Sequence, residues 1–205
     1  MIRAKHRLPQ QFALFIASNK PHKNLVRLVE AWQKIIRDWR MEIGDYATAN
    51  LQSPLLVIGG HQDPRYAEAE RQVDELGISE HVKFIGAVPN EELPALYSAC
   101  TLFVFPSLYE GFGLPPLEAM ACGAPLACSN ASALPEVAGT AAVMFDPTRP
   151  DEIAAACRHV LADPVLQADL RQRSIRQAAR FTWDAAARTT MGVYRSVLKQ
   201  PHSTH

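Results

Sequence analysis

Residues 102–121 read LFVFPSLYEGFGLPPLEAMA. The first four, Leu102-Phe103-Val104-Phe105, form an unbroken apolar run. A strand covered on both faces has that character, whereas a strand with one wet face alternates. Gly111 and Gly113 follow in a short turn, and Pro115 and Pro116 stand at the head of the next apolar stretch. Proline costs little near the first helical position, where its missing N–H has no helical partner anyway. The stretch therefore predicts a buried strand, a glycine turn and a helix over 115–121. Buried strands that alternate with helices belong to a parallel sheet with helices on both faces.

The same unit recurs in both directions. Residues 12–17 (FALFIA) read as a buried strand. After SNKPHKN, the residues Leu25, Leu28, Val29, Trp32, Ile35 and Ile36 fall at helical spacing. Residues 55–58 (LLVI) form the next strand, ended by Gly59-Gly60, and a polar helix over 64–76 leads to a strand at 82–85. A short helix at 91–98 precedes the opening run, and strands at 125–128 and 141–145 come after it. Helices over 151–161, 164–179 and 183–198 fill the remainder, separated by Asp163-Pro164 and Phe181-Thr182. The pattern predicts an α/β fold with a doubly wound, Rossmann-like parallel sheet. No repeat, low-complexity segment or Pro/Gly/Ser-rich linker interrupts it. A single domain over 1–205 is expected, with 1–11 a disordered or linker start and 182–199 a terminal helix.

Composition narrows the function. The chain has 205 residues, 48% hydrophobic and 20% charged, within the globular range. Lys plus Arg and Asp plus Glu both number 21, so there is no broad cationic footprint for nucleic acid, and none is expected as a partner. Cys100, Cys122, Cys128 and Cys157 lack C-x-x-C or zinc-like spacing and sit among small apolar residues, as buried reduced thiols do. No metal site and no cofactor is expected. No apolar run reaches the length of a membrane span, and MIRAKHRLPQ has no signal-peptide core. A cytoplasmic protein is expected, compatible with peripheral attachment at the inner face of the membrane.

In doubly wound sheets, ligands bind outside the carboxyl ends of the strands. Three post-strand loops stand out there. SNKPHKN, residues 18–24, offers Lys20, His22 and Lys23 beside a helix start. Gly86-Ala87-Val88 would let a flat ring approach the backbone. Residues 107–114 bring Gly111 and Gly113 to a helix amino terminus, whose unpaired N–H groups suit a phosphate. Glu110 and Glu118 flank that turn, and a carboxylate can accept hydrogen bonds from neighbouring hydroxyls of a sugar or ribose. Each feature also has an ordinary explanation. Glu110 could be a solvated loop residue, Glu118 a carboxylate complementing a helix dipole, and Lys20 and Lys23 surface charges. The first strand is not followed by G-x-G-x-x-G, which argues against a dinucleotide dehydrogenase.

FPSLYEGFGLPPLEAMACGAPLACSNASALPEVAG strongly resembles the donor-binding core of the retaining family 4 (group 1) glycosyltransferases, two-domain enzymes of the GT-B type. Their signature of two glutamates separated by seven residues is matched by Glu110 and Glu118. The resemblance extends through HKNLVRLVEAW, LLVIGG, VKFIGAVPNEELPALYSACTLFVFPS, AAVMFDPTRPDEIAAAC and FTWDAAARTTMGVY, nearly the whole chain. It implies that Glu110 holds hydroxyls of the transferred sugar and Glu118 the ribose of the nucleotide. It further implies that the backbone of Gly111, Phe112, Gly113 and Leu114 faces the diphosphate and sugar, that Lys23 neutralises the leaving diphosphate, and that Gly86 and Val88 border the base. Many members carry Gly-Arg where this chain has Ala17-Ser18; the Ser18 hydroxyl would stand in for that phosphate contact.

The expectation is the carboxy-terminal half of a GT-B enzyme, the amino-terminal acceptor domain being absent. Such a domain would serve a hexosyltransferase that moves sugar, GDP-mannose being the first candidate donor, to a glycan or lipid-linked acceptor in surface polysaccharide synthesis. Alone it would be inactive or weakly active, with an apolar patch exposed along its final helix. The alternative is a noncatalytic nucleotide-sugar binding module, or a subunit that needs a separate acceptor-domain chain.

Overall fold

A computed structural model describes residues 2–43 and 54–198. The apolar runs become six strands: β1 (Ala13–Ile16), β2 (Leu56–Gly59), β3 (Val82–Gly86), β4 (Leu102–Phe105), β5 (Leu126–Ser129) and β6 (Ala142–Phe145). They form one sheet in the order β3-β2-β1-β4-β5-β6, every pairing parallel. All residues of the four inner strands are buried, while β3 and β6, at the edges, are mostly half-buried. The half-buried edge accommodates Lys83 in β3, while the other edge, β6 (AVMF), stays apolar.

The helices are α1 (Ile2–Lys5), α2 (Leu25–Ile43), α3 (Glu68–Glu75), α4 (Leu93–Ala99), α5 (Leu114–Ala121), α6 (Leu134–Ala138), α7 (Pro150–Ala162), α8 (Pro164–Ala178) and α9 (Trp183–Leu198). On one face α2 packs with α3 and α7; on the other α5 packs with α4, α6 and α8. The predicted stripe of α2 is buried throughout, and the Trp32 indole donates to the His81 carbonyl at 3.1 Å. Phe15, Phe103 and Phe105 stack beneath the sheet centre, and Tyr97 meets the edge of Phe103 at 5.2 Å. Asp163 starts α8 as the Asp-Pro pair predicts, accepting from the Val165 and Leu166 N–H groups.

Three features differ from the sequence expectation. Residues 64–76 are not one helix: Asp63 caps a 3-10 turn over Pro64–Tyr66, and α3 begins only at Glu68. α6 spans five residues, too few to display a helical period. The segment 1–11, expected to be disordered or a linker, is docked over its described part. Arg3 donates to the Ala99 carbonyl at 2.8 Å, Lys5 and His6 pair with Glu92, and Lys83 donates to the His6 carbonyl. Long-range polar contacts of this kind leave no local periodicity to detect. Residue 1 and residue 199 of the expected terminal helix lie outside the described residues. α9 buries none of its side chains; Trp183 is 86% exposed and Leu198 84%.

Candidate functional site

β1 and β4 are neighbours at the point where the strand order reverses, so their following loops leave in opposite directions and open a crevice. The loop after β1 makes a 3-10 turn over Pro21–Lys23 and ends at Asn24, which has φ +63°. Asparagine tolerates that left-handed backbone. Its buried amide donates to the Pro106 carbonyl at 3.0 Å and the Pro147 carbonyl at 2.7 Å, tying the loop to those after β4 and β6. The Leu108 N–H donates to the His22 carbonyl at 2.8 Å. These bonds bring Lys23 over the end of β4.

There the Lys23 ammonium meets the Glu110 carboxylate at 2.5 Å, with side chains only 14% and 12% exposed. The ammonium also lies 5.3 Å from the Phe105 ring centroid. The backbone of Glu110 is held on both sides by Ser132 in the loop after β5. Its N–H donates to the Ser132 hydroxyl at 2.8 Å, and that hydroxyl donates to the Glu110 carbonyl at 2.7 Å.

The turn from Glu110 into α5 depends on Gly113. It has φ +107°, and a Cβ there would lie 2.7 Å from Cδ2 of the buried Leu134. The N–H groups of Gly111, Phe112, Gly113 and Leu114 have no protein partner among the described residues. Gly111 and Phe112 are exposed at the mouth of the turn, and the Phe112 ring touches Phe181 edge-on at 5.8 Å. Four unpartnered donors beside a helix start and a lysine form a surface suited to an anion.

Glu118 lies one turn into α5, exposed, and accepts a hydrogen bond from the buried Tyr97 hydroxyl at 3.2 Å. Burial, then the Glu118 charge, push the Tyr97 phenol far above its ordinary value, so it remains a donor. Gly86 ends β3 with φ +69° and open space where a side chain would stand; its carbonyl accepts from the Gly60 N–H at 2.8 Å. Val88 packs against the core beside Gly59. Ser18 is half-buried next to Asn19, whose amide bonds the backbone of Asp63 and Tyr66.

All residues singled out by sequence thus lie on the carboxyl-end loops or at the start of α5. Lys23, Glu110 and the 111–114 turn come together. Gly86 and Val88 lie three strand positions from β4, about 14 Å along the sheet. Asn24, Tyr97 and Ser132 were not singled out. Asn24 had a signal, an asparagine immediately before a helical stripe; Tyr97 looks like a core residue of α4, and nothing local marks Ser132.

Among the described residues no three of His, Cys, Asp and Glu converge as a metal ion would require, and no helix is long and apolar enough to cross a membrane. A cavity of about 720 Å³ lies at the opposite end of the sheet, between α2 and α7. Its charged rim is already engaged, Lys34 with Asp151 and Arg158 with Asp38. The unpartnered N–H donors lie at the other end, in the carboxyl-end crevice.

These features define an α/β domain of the doubly wound class with an open crevice at the switch point. The chain belongs to the group 1 glycosyl transferases, whose family model matches residues 2–180. It is 38% identical over 189 residues to O-antigen chain mannosyltransferase B of Escherichia coli, covering 91% of this chain and 46% of that protein. It is 33% identical over 206 residues to the serotype-specific mannosyltransferase WbdA of Escherichia coli, covering 99% of this chain and 24% of that one. The chain therefore spans less than half the length of these relatives.

Among solved structures, sucrose-phosphate synthase of Thermosynechococcus elongatus superposes with a TM-score of 0.77 at 26% identity, over 96% of this chain and 48% of that one. The C-terminal domain of a group 1 glycosyl transferase (LpcC) from Francisella tularensis superposes with a TM-score of 0.73 at 22% identity, over 87% of this chain and 90% of that domain. The fold is that of one half of a GT-B glycosyltransferase, as the sequence resemblance implied.

Proposed function

We propose that this chain is the donor-binding half of a retaining glycosyltransferase that takes a nucleotide-diphosphate sugar. The observation that carries this is the Lys23–Glu110 pair set against the unpartnered N–H groups of the 111–114 turn. A cation and an anion side by side suit a ligand in which a diphosphate adjoins a hydroxyl-bearing sugar. In this reading the diphosphate takes the ammonium and the N–H groups, and the Glu110 carboxylate turns to sugar hydroxyls. Glu118 receives the ribose, Gly86 and Val88 border the base, and Ser18 adds a hydroxyl near the phosphates.

The bond from the anomeric carbon to the diphosphate oxygen breaks as the acceptor oxygen bonds that carbon on the same face. The acceptor proton passes to the departing phosphate oxygen. Lys23 and the fixed N–H groups stabilise the negative charge that grows on the diphosphate. The mannosyltransferase names of the relatives support a mannose donor, GDP-mannose first, and use in surface polysaccharide synthesis on a glycan or lipid-linked acceptor.

A second reading is that of a binding module or subunit that turns over only with an acceptor domain. It is favoured by the uncovered apolar residues of α9. Calorimetric titration of the 205-residue chain with GDP, GDP-mannose, UDP, UDP-glucose and ADP-glucose tests the donor reading. Binding of one nucleotide sugar, weakened by Glu110→Gln relative to its free nucleotide diphosphate, is expected. No binding of any, or equal losses for both ligands, refutes it.

A further inference from the structure

We infer that Ser132 is a positioning residue for sugar recognition, acting through the Glu110 peptide; the inference rests on the assignment of Glu110 to the sugar. Ser132 lies on a different loop, 22 residues further along the chain, yet its hydroxyl engages both polar groups of the Glu110 backbone. Accepting from the N–H and donating to the carbonyl fixes the Glu110 backbone on either side of its Cα, and with it the direction of the side chain. The peptide unit is planar and trans, so the Gly111 N–H points opposite to the Glu110 carbonyl. Holding that carbonyl toward Ser132 aims the Gly111 N–H toward the mouth of the turn. One hydroxyl thereby orients a carboxylate and an N–H donor together.

Two further observations support this role. Ser132 has φ +52°, a left-handed backbone that glycine adopts freely and serine does not. A glycine would relieve that strain but would lose the hydroxyl, so the chain carries strain where the hydroxyl is used. In the free protein the Glu110 carboxylate is also anchored by Lys23. When a diphosphate takes the ammonium, that anchor is withdrawn and the Ser132 clamp remains.

The test separates the hydroxyl from the backbone. Ser132→Gly removes the hydroxyl and relieves the strain; Ser132→Ala removes the hydroxyl and keeps the strain. Each variant of the 205-residue chain is titrated with GDP and GDP-mannose and melted thermally. Both should lose GDP-mannose affinity about three- to tenfold more than GDP affinity, the effect of one neutral hydrogen bond. Their stabilities should diverge, Ser132→Gly melting above Ser132→Ala. Hydrogen exchange at the Glu110 amide should quicken in both variants. If affinity follows the melting temperature, so that Ser132→Gly binds like the native chain, the residue is merely structural and the inference falls. Glu110→Gln is run alongside. If it leaves the GDP-mannose to GDP ratio unchanged, the sugar assignment of Glu110 fails first and takes the inference with it. If Glu110→Gln lowers the ratio and neither Ser132 variant does, the inference alone is overturned.

Discussion

Lys23→Ala probes the pair that organises the crevice. The ammonium and carboxylate approach to 2.5 Å with side chains 14% and 12% exposed, so they lie between a surface pair and a buried one. Exposed pairs contribute roughly 0–1 kcal/mol, while removing one partner of a fully buried pair costs about 3–5 kcal/mol, because the other charge is stranded. With both groups mostly covered, a loss of about 2–3 kcal/mol is expected, or about 5–10 °C in Tm for a chain of this size. Urea denaturation of native chain, Lys23→Ala and Lys23→Ala/Glu110→Ala measures it. The double variant, with no stranded carboxylate, should be more stable than the single by about 1–2 kcal/mol. In titrations with GDP, Lys23→Ala should bind more weakly, and added salt should weaken the native chain more than the variant, since the lost contact is Coulombic. Equal stabilities for the single and double variants would dissolve the pair as an energetic unit. Identical salt dependence would reduce Lys23 to a structural cation.

Glu118→Ala should weaken GDP and GDP-mannose alike by roughly 1.5–3 kcal/mol, one charged hydrogen bond to the ribose; calorimetry that finds GDP affinity unchanged removes Glu118 from the site. Gly113→Ala should destabilise the fold by about 2–5 kcal/mol in urea melts, because φ +107° is strained for alanine and its Cβ meets Leu134 at 2.7 Å; a loss below about 0.5 kcal/mol refutes that geometry. Burial pushes the thiols of Cys100, Cys128 and Cys157 up to about 12, so they should resist a thiol reagent at pH 8 until the chain is unfolded. Rapid labelling of any of the three in the native chain would contradict their placement.

The sheet was legible because its inner strands are buried on both faces and their runs are unbroken. The 102–121 stretch alone displays strand, turn and helix start, and residues 102–105 are observed as β4 with the bounds expected. Glu110 and the 111–114 turn stood out through the spacing of glycines, prolines and carboxylates, whereas Lys23 was one of three basic residues in the loop after β1 and was set apart by the family resemblance. That Lys23 would pair with Glu110 was not legible, because the contact spans 87 residues and depends on two loops being brought together. Tyr97 was hidden for a related reason: its ring is a core side chain by every local criterion, and only its hydroxyl reaches Glu118. The docked start was missed because its bonds run to Glu92 and Ala99, far along the sequence. α9 was legible as a helix from its own period.

The loops that form the crevice have no strand ladder to hold them, and ordering a loop residue costs about 1–2 kcal/mol of backbone entropy against about 0.5–1.5 kcal/mol gained per hydrogen bond. A single bond cannot fix such a loop. The chain uses short polar side chains bonded to backbone on neighbouring loops. Asn19 joins the loop after β1 to the one after β2 through three bonds. Asn24 joins it to those after β4 and β6, and Ser132 joins the loop after β5 to the one after β4. The Gly60 N–H closes the circuit onto the Gly86 carbonyl at the end of β3. The loops after β1, β2, β4, β5 and β6 are thereby each fastened to at least one other, so the cost of ordering them is met in folding, before a ligand arrives. A site whose N–H donors are already aimed has less to reorganise on binding, and that is the condition under which fixed dipoles stabilise a developing charge.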